Sequence, residues 1–204
     1  MTQPIRILIA DDHMMVRHAL SQICTTEPDM QVIGQAVNGQ EAYCQALLLQ
    51  PDVLVMDLSM PMIDGVQVAR HLLVDNPTIK IVILTVCCEE RYVLEALKAG
   101  VCAYVVKDAE SATLLQAIRA VAAGEWKIDA LVARTLLDEY RQQQTDPVVV
   151  SELTQSGALD LKLLELIAEG HDQHAIMSEL DLPDMKVRQC LALILTRLLE
   201  GTRN

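Results

Sequence analysis

Five polar side chains stand at the ends of apolar runs in the first 107 residues of the chain. Asp11 and Asp12 follow IRILIA, and Asp57 closes DVLVMD. Thr85 lies near the end of IKIVILTV, and Lys107 closes AYVVK. Three carboxylates brought into one cleft repel one another unless a cation offsets them. A hard, oxygen-seeking ion such as Mg²⁺ suits that set, held by one or two carboxylates plus waters. A phosphoryl group bound there would leave one carboxylate as nucleophile, with the metal, a lysine and a hydroxyl offsetting charge. Positioning and electrostatics do most of the work in such transfers. Each acid taken singly reads as a solvated strand end; the ordered set of five points to a site.

The elements that must bring these residues together are legible in the pattern. Ile5–Ala10, Met30–Ala36, Asp52–Asp57, Ile79–Val86 and Ala103–Lys107 are short apolar runs that read as buried strands. Helical patterns lie between and after them, over His13–Thr26, Gly39–Leu49, Asp64–Val74, Glu89–Ala99 and Glu110–Ala123. Strands each followed by a helix imply a five-stranded parallel sheet, doubly wound and covered on both faces. In such sheets ligands bind outside the carboxyl ends of the strands, where the five polar residues fall.

Gly124 closes the last of these helices, and Glu125–Asp129 reads as a short connector. Asp129 can cap a further helix through Tyr140. RQQQTDPVVVSE (Arg141–Glu152) is polar, contains Pro147 and reads as linker. A helical tail follows over Leu159–Gly170, His174–Asp181 and Lys186–Glu200. The division expected is 1–124, a linker with one helix over 125–150, and an all-α domain over 151–204.

Composition excludes several classes. Half of the 204 residues are hydrophobic, so a packed core is attainable, and with no Phe it must be aliphatic. A net charge of −12 opposes general attraction to phosphate backbones, though not a local basic patch. The six cysteines form no C-x-x-C pair or metal-ligand spacing. Most fall on apolar faces and read as small core residues, which fits a reducing cytoplasm. MTQPIRILIADD does not read as a signal peptide, because acids follow the apolar run at once. No apolar stretch is long enough to span a bilayer.

The motifs ILIADDH, VLVMDLSMPMIDG, ILTV and AYVVKD, over Ile5 to about Ala123, resemble the receiver domain of two-component response regulators. The resemblance implies a flavodoxin-like fold with Asp57 as phospho-acceptor for a sensor histidine kinase. It implies a Mg²⁺ pocket of Asp11, Asp12, Asp57 and the backbone carbonyl of Ser59. Thr85 would hydrogen-bond the phosphoryl group and Lys107 would pair with it. Tyr104 would be the switch aromatic that turns inward when Thr85 moves, and Pro61 and Gly65 would shape the loop after Asp57. The only chemistry implied is self-phosphorylation and slow hydrolysis, so a metabolic enzyme is not expected. Val86 departs from the pattern: a branched side chain stands where a small one is usual, and it would crowd the phosphoryl group. Cys87 and Cys88 lie beside the same pocket, with no adjacent base to activate a thiol.

LELIAEG (Leu164–Gly170) and AAGEWKIDALVARTLLDEY resemble the output domain and connecting segment of the NarL/FixJ (LuxR-type) regulators. That implies a helix-turn-helix domain, DNA as partner and a homodimer on phosphorylation. Gln173, His174 and Ala175 fall where the family's scaffold helix makes polar contacts. Lys186, Arg188 and Arg197 are the candidate DNA contacts, with 186 and 197 about three turns apart on one side of a helix. From Ser151 onward nine acids face five bases, which forfeits long-range attraction to a duplex. Leu191, Ile194, Leu195 and Leu198 form an apolar stripe that Leu193 and Leu199 extend to a second side. His171 and His174 share a face without further ligands and read as solvated. Three readings follow: a phosphorylation-controlled transcription regulator, a phospho-switched regulator whose helical domain binds a protein instead of DNA, or a phosphate sink in a relay.

Overall fold

The computed structural model describes residues 3–86, 92, 95–97, 99–128, 130–144 and 156–201. Its strands are β1 (Ile5–Ala10), β2 (Met30–Ala36), β3 (Val53–Met56), β4 (Lys80–Thr85), β5 (Ala103–Val106) and β6 (Lys127–Ile128). They form one sheet in the order β2-β1-β3-β4-β5-β6. The pairs β1–β2, β1–β3, β3–β4 and β4–β5 are all parallel. Five strands were expected; the sixth is two residues long and joins through the Lys127 amide, which donates to the Cys102 carbonyl at 2.9 Å.

Both faces of the sheet are buried, which is why the strands are apolar throughout rather than alternating. Ile7, Ile9, Val53, Val55, Val82, Leu84, Ala103 and Val105 share one face. Helices α1 (Met14–Thr25) and α4 (Ser111–Ala122) cover it with Leu20, Cys24, Leu114, Ala117, Ile118 and Val121. The intervening positions, among them Leu8, Leu54, Met56, Ile81 and Ile83, are equally buried. Helix α2 (Gly39–Leu49) packs on β1 and β2 and against α3 (Gly65–Asp75).

Side chains fix the helix starts. Asn38 accepts from the Glu41 amide at 2.8 Å, while the Glu41 carboxylate accepts from the Val37 amide at 3.0 Å, a reciprocal cap. Asp64 caps α3 in the same way through the Gln67 amide. The helix expected over Glu89–Ala99 falls mostly outside the described residues, as do Cys87, Cys88 and Asp129; Tyr92 and residues 95–97 are helical.

The chain divides into two compact units, Met1–Cys88 with Ala99–Lys127, and Glu89–Lys98 with Ile128–Asn204. The second holds α5 (Ala130–Gln144), α6 (Ser156–Ala168), α7 (Gln173–Leu180) and α8 (Asp184–Gly201). Helix α5 packs along α6 and also meets α8, so it belongs with the C-terminal helices rather than with a loose linker. Its last turn, Arg141–Gln144, was expected to be linker. The buried stripe of α8 is Val187, Leu191, Ile194 and Leu198, at spacings of four, three and four. Leu193 is 54% exposed, and the side chains of Leu195 and Leu199 lie outside the described set. No helix among the described residues is long and apolar enough to cross a membrane.

Candidate functional site

Backbone hydrogen bonds between strand ends assemble the acidic pocket. The Asp57 amide donates to the Ala10 carbonyl at 2.8 Å, which sets the end of β3 beside Asp11. The Lys107 amide donates to the Thr85 carbonyl at 2.9 Å, which aligns the ends of β4 and β5. Across these strands, Lys107 Nζ reaches Asp11 Oδ2 at 2.6 Å and Asp57 Oδ2 at 2.8 Å. Residues ninety-six and fifty positions away in sequence thus meet on one ammonium.

The remaining oxygens are held by the adjoining backbone. The Leu58 amide donates to Asp57 Oδ1, and the His13 amide donates to Asp11 Oδ1 at 2.8 Å. Asp11 and Asp57 are buried, whereas Asp12 stands at the mouth. Burial lowers the Lys107 ammonium pKa, and the hydrogen bonds to Asp11 and Asp57 outweigh it, so the group ends above its ordinary value. Three formal negative charges against one positive leave two over.

The donor set fits a divalent ion. Ligand atoms of Asp11, Asp12, His13 and Asp57 all lie within 4.8 Å of one another, and the three carboxylates supply the hard oxygens that Mg²⁺ favours. The loop beyond Asp57 is forced close. A Cβ on Gly65 would lie 2.6 Å from the Asp57 carbonyl oxygen, so only glycine fits there. The Gly65 amide donates to the Leu58 carbonyl at 2.8 Å, and Ser59, on the same loop, is exposed.

Val86 follows the last residue of β4 and is 73% exposed, next to the buried Thr85. Tyr104 is fully buried, so its ring already lies inward. Among the cysteines described, only Cys24 is buried, with its thiol pushed up to about 11 by burial and then by Glu27. Cys44 is exposed, and Cys102 and Cys190 are half-buried, so the cysteines are less uniformly core than their apolar neighbours suggest.

The C-terminal unit places its cations differently from the sequence expectation. Arg197 is half-exposed and, unlike Lys186, is held by a buried acid. Its Nη1 donates to Asp160 Oδ2 at 2.7 Å, and the Tyr140 hydroxyl donates to the same oxygen at 2.8 Å. Asp160 is 2% exposed, and burial pushes its carboxyl up, partly offset by the Tyr140 hydrogen bond and the Arg197 charge. Arg188 Nε lies 3.0 and 2.8 Å from the two Asp184 carboxylate oxygens, one turn away. Lys186 is exposed and makes no ion pair among the described residues. Gln173 is buried and donates to Asp184 Oδ1 at 2.7 Å, so it braces α7 against α8 rather than facing outward. His171 and His174 are exposed.

Asp160 and Tyr140 escaped the sequence reading, although a signal existed. Asp160, Leu163, Leu164 and Ile167 follow the i, i+3, i+4, i+7 spacing of one buried face, so an acid there needs a partner. Between α7 and α8 lie three residues, Asp181–Pro183, with Asp181 in the left-handed region at φ 51°. Two short-linked helices of this kind make a helix-turn-helix outline.

The family model for the response regulator receiver domain matches residues 7–119. The transcriptional regulatory protein LiaR of Bacillus subtilis is 34% identical over 194 residues, 95% of this chain and 90% of that protein. The oxygen regulatory protein NreC of Staphylococcus epidermidis is 36% identical over 179 residues, 86% of this chain and 82% of that protein. The crystal structure of a LuxR-family two-component response regulator from Aurantimonas sp. SI85-9A1 is 31% identical with a TM-score of 0.64, covering 67% of this chain and 98% of that one. These relatives are regulators rather than enzymes. With a receiver model matched over more than half its length and relatives aligned along nearly all of it, this chain belongs to the two-component response regulators of the NarL/FixJ (LuxR) type.

Proposed function

We propose that the chain is a phosphorylation-controlled regulator of transcription, with Asp57 as phospho-acceptor for a sensor histidine kinase. The observation that carries this is the pocket itself: a buried Asp57 carboxylate hydrogen-bonded to Lys107 and grouped with two further acids. An Asp57 oxygen attacks the donor phosphorus; the new P–O bond forms as the bond to the donor nitrogen breaks. Lys107 stays paired with the acyl phosphate, and the Thr85 hydroxyl hydrogen-bonds a phosphoryl oxygen. Mg²⁺, held by Asp11, Asp12, Asp57 and the Ser59 backbone carbonyl, offsets phosphoryl charge when bound. Movement of Thr85 is relayed through Tyr104, whose inward ring leaves it little room to turn further.

The receiver is assigned to 1–124 and the helix-turn-helix output to 151–204. Helix α5, within 125–150, acts as part of the output unit because it packs there. The chain works in the cytoplasm and dimerises when phosphorylated, so that two output units meet paired DNA half-sites. LiaR's name as a transcriptional regulator supports this reading.

A second reading has its own support. Of the three candidate DNA cations, Arg188 and Arg197 are engaged by carboxylates, and only Lys186 stands exposed without an ion pair among the described residues. Output through a protein partner is the alternative. The test uses the full chain, with and without acetyl phosphate and Mg²⁺, titrated with duplex genomic fragments across a salt series. Selective binding by the phosphorylated chain that weakens as salt rises is the expected result. No binding at low salt by folded, phosphorylated protein transfers the output role to a protein partner.

A further inference from the structure

His13 directly follows the two acids at the end of β1 and stands at the mouth of the pocket, 68% exposed. Its Nδ1 lies 2.7 Å from Asp12 Oδ1 and 3.4 Å from Asp11 Oδ1. Two donors on neighbouring corners of an octahedron with bonds of about 2.1 Å sit about 3.0 Å apart. The two observed separations straddle that value. Opposite corners are about 4.2 Å apart, and the ligand atoms of Asp11, Asp12, His13 and Asp57 all fall within 4.8 Å, so the group would close by a few tenths of an ångström around an ion.

The backbone beneath the ring is pinned. The His13 amide donates to Asp11 Oδ1 at 2.8 Å, and its carbonyl accepts from the Arg17 amide at 3.1 Å. The Arg17 guanidinium also donates to the Asp11 carbonyl at 2.7 Å. The imidazole is therefore carried on a fixed support, solvent-exposed, with Nδ1 turned toward Asp12, a partner that an entering metal would have to displace or share.

We infer that His13 supplies a nitrogen donor to the ion in this pocket and biases it toward nitrogen-accepting divalent metals such as Ni²⁺. The inference rests on the reading of the pocket as a divalent-cation site. Carboxylate and water ligands alone suit Mg²⁺, whereas imidazole suits first-row transition metals and adds little for Mg²⁺. The residue thus sets which ion the phosphorylation pocket prefers when several are present.

The test uses the full chain, its His13→Gln variant and its Asp12→Asn variant, titrated calorimetrically with Mg²⁺ and Ni²⁺. Mn²⁺ serves as the spin probe. Because the ring is exposed and bears no core contact, His13→Gln leaves the fold intact, which circular dichroism checks. Ni²⁺ affinity is expected to fall about tenfold or more in His13→Gln, with Mg²⁺ affinity changed less than about twofold. Bound Mn²⁺ in the parent is expected to show nitrogen modulation in electron spin-echo spectra, lost in His13→Gln. Asp12→Asn is expected to weaken all three metals. If the parent binds Mg²⁺ and Mn²⁺ without nitrogen modulation, and His13→Gln binds Ni²⁺ as the parent does, His13 is only an ion-pair partner of Asp12 and the inference fails alone. If the parent binds none of the metals, the pocket reading fails and takes the inference with it.

Discussion

The two units use the same residue types to opposite ends. In the sheet unit two carboxylates converge on one lysine with a third acid at the mouth, and two formal charges remain for something else to satisfy. In the helical unit each buried or capping acid is closed off by its own partners. Asp160 takes Tyr140 and Arg197, and Asp184 takes Gln173 and Arg188. Charge left over points to ligand chemistry, whereas charge that closes on itself holds helices together. The contrast explains why an acidic helical unit with several basic residues still presents little positive surface.

Breaking the shared lysine gives the largest expected effect. Lys107→Met leaves Asp11 and Asp57 facing each other without a counter-charge and is expected to cost about 3 kcal/mol in urea unfolding. Mg²⁺ is expected to restore part of that loss in the variant and to add less to the parent. The pH dependence follows from the raised Lys107 pKa. Its contribution is complete below the ordinary lysine value of 10.5 and is lost as pH rises through the higher folded value. The stability gap between parent and variant should therefore close above pH 10.5. A gap that persists unchanged there contradicts the pairing.

In the helical unit the effects are smaller. Asp160→Ala removes the acceptor shared by the Tyr140 hydroxyl and Arg197 Nη1 and is expected to cost about 2 kcal/mol. Tyr140→Phe removes one hydrogen bond and is expected to cost about 1 kcal/mol. A double-mutant cycle between Tyr140→Phe and Arg197→Ala sharpens the point: non-additivity shows a network on one carboxylate, and additivity shows two independent contacts. Arg188→Ala breaks an exposed pair within one helix, and the loss of that pair should change stability by less than about 0.5 kcal/mol. If it instead abolishes DNA binding, the arginine leaves Asp184 for phosphate, and the helical unit is less closed than its ion pairs imply.

The sheet was legible because ILIA, VLVM and KIVILT are unbroken apolar runs that can only be buried on both faces. The pair Lys127–Ile128 is too short to carry a period, so the sixth strand was not. Helix α5 runs on through Arg141–Gln144 because Arg and Gln are good helix formers, although a polar run ahead of a proline reads as linker. The strand-end acids and Lys107 could be placed because a parallel sheet gathers its carboxyl ends. The Arg197 pairing was not legible because summing charges treats Asp160 and Arg197 as separate surface groups, whereas the buried Asp160 draws in the half-exposed guanidinium.

On the proposed function, the pocket's surplus negative charge makes Asp57 a metal-assisted phospho-acceptor. The most direct measurement is intact mass of the full chain after acetyl phosphate treatment, with Mg²⁺ present or chelated, alongside Asp57→Asn. We expect the mass of one phosphoryl group to appear on the parent only with Mg²⁺, to map to the peptide holding Asp57, and to be absent from the variant. Equal labelling of Asp57→Asn, or labelling indifferent to the metal, contradicts it.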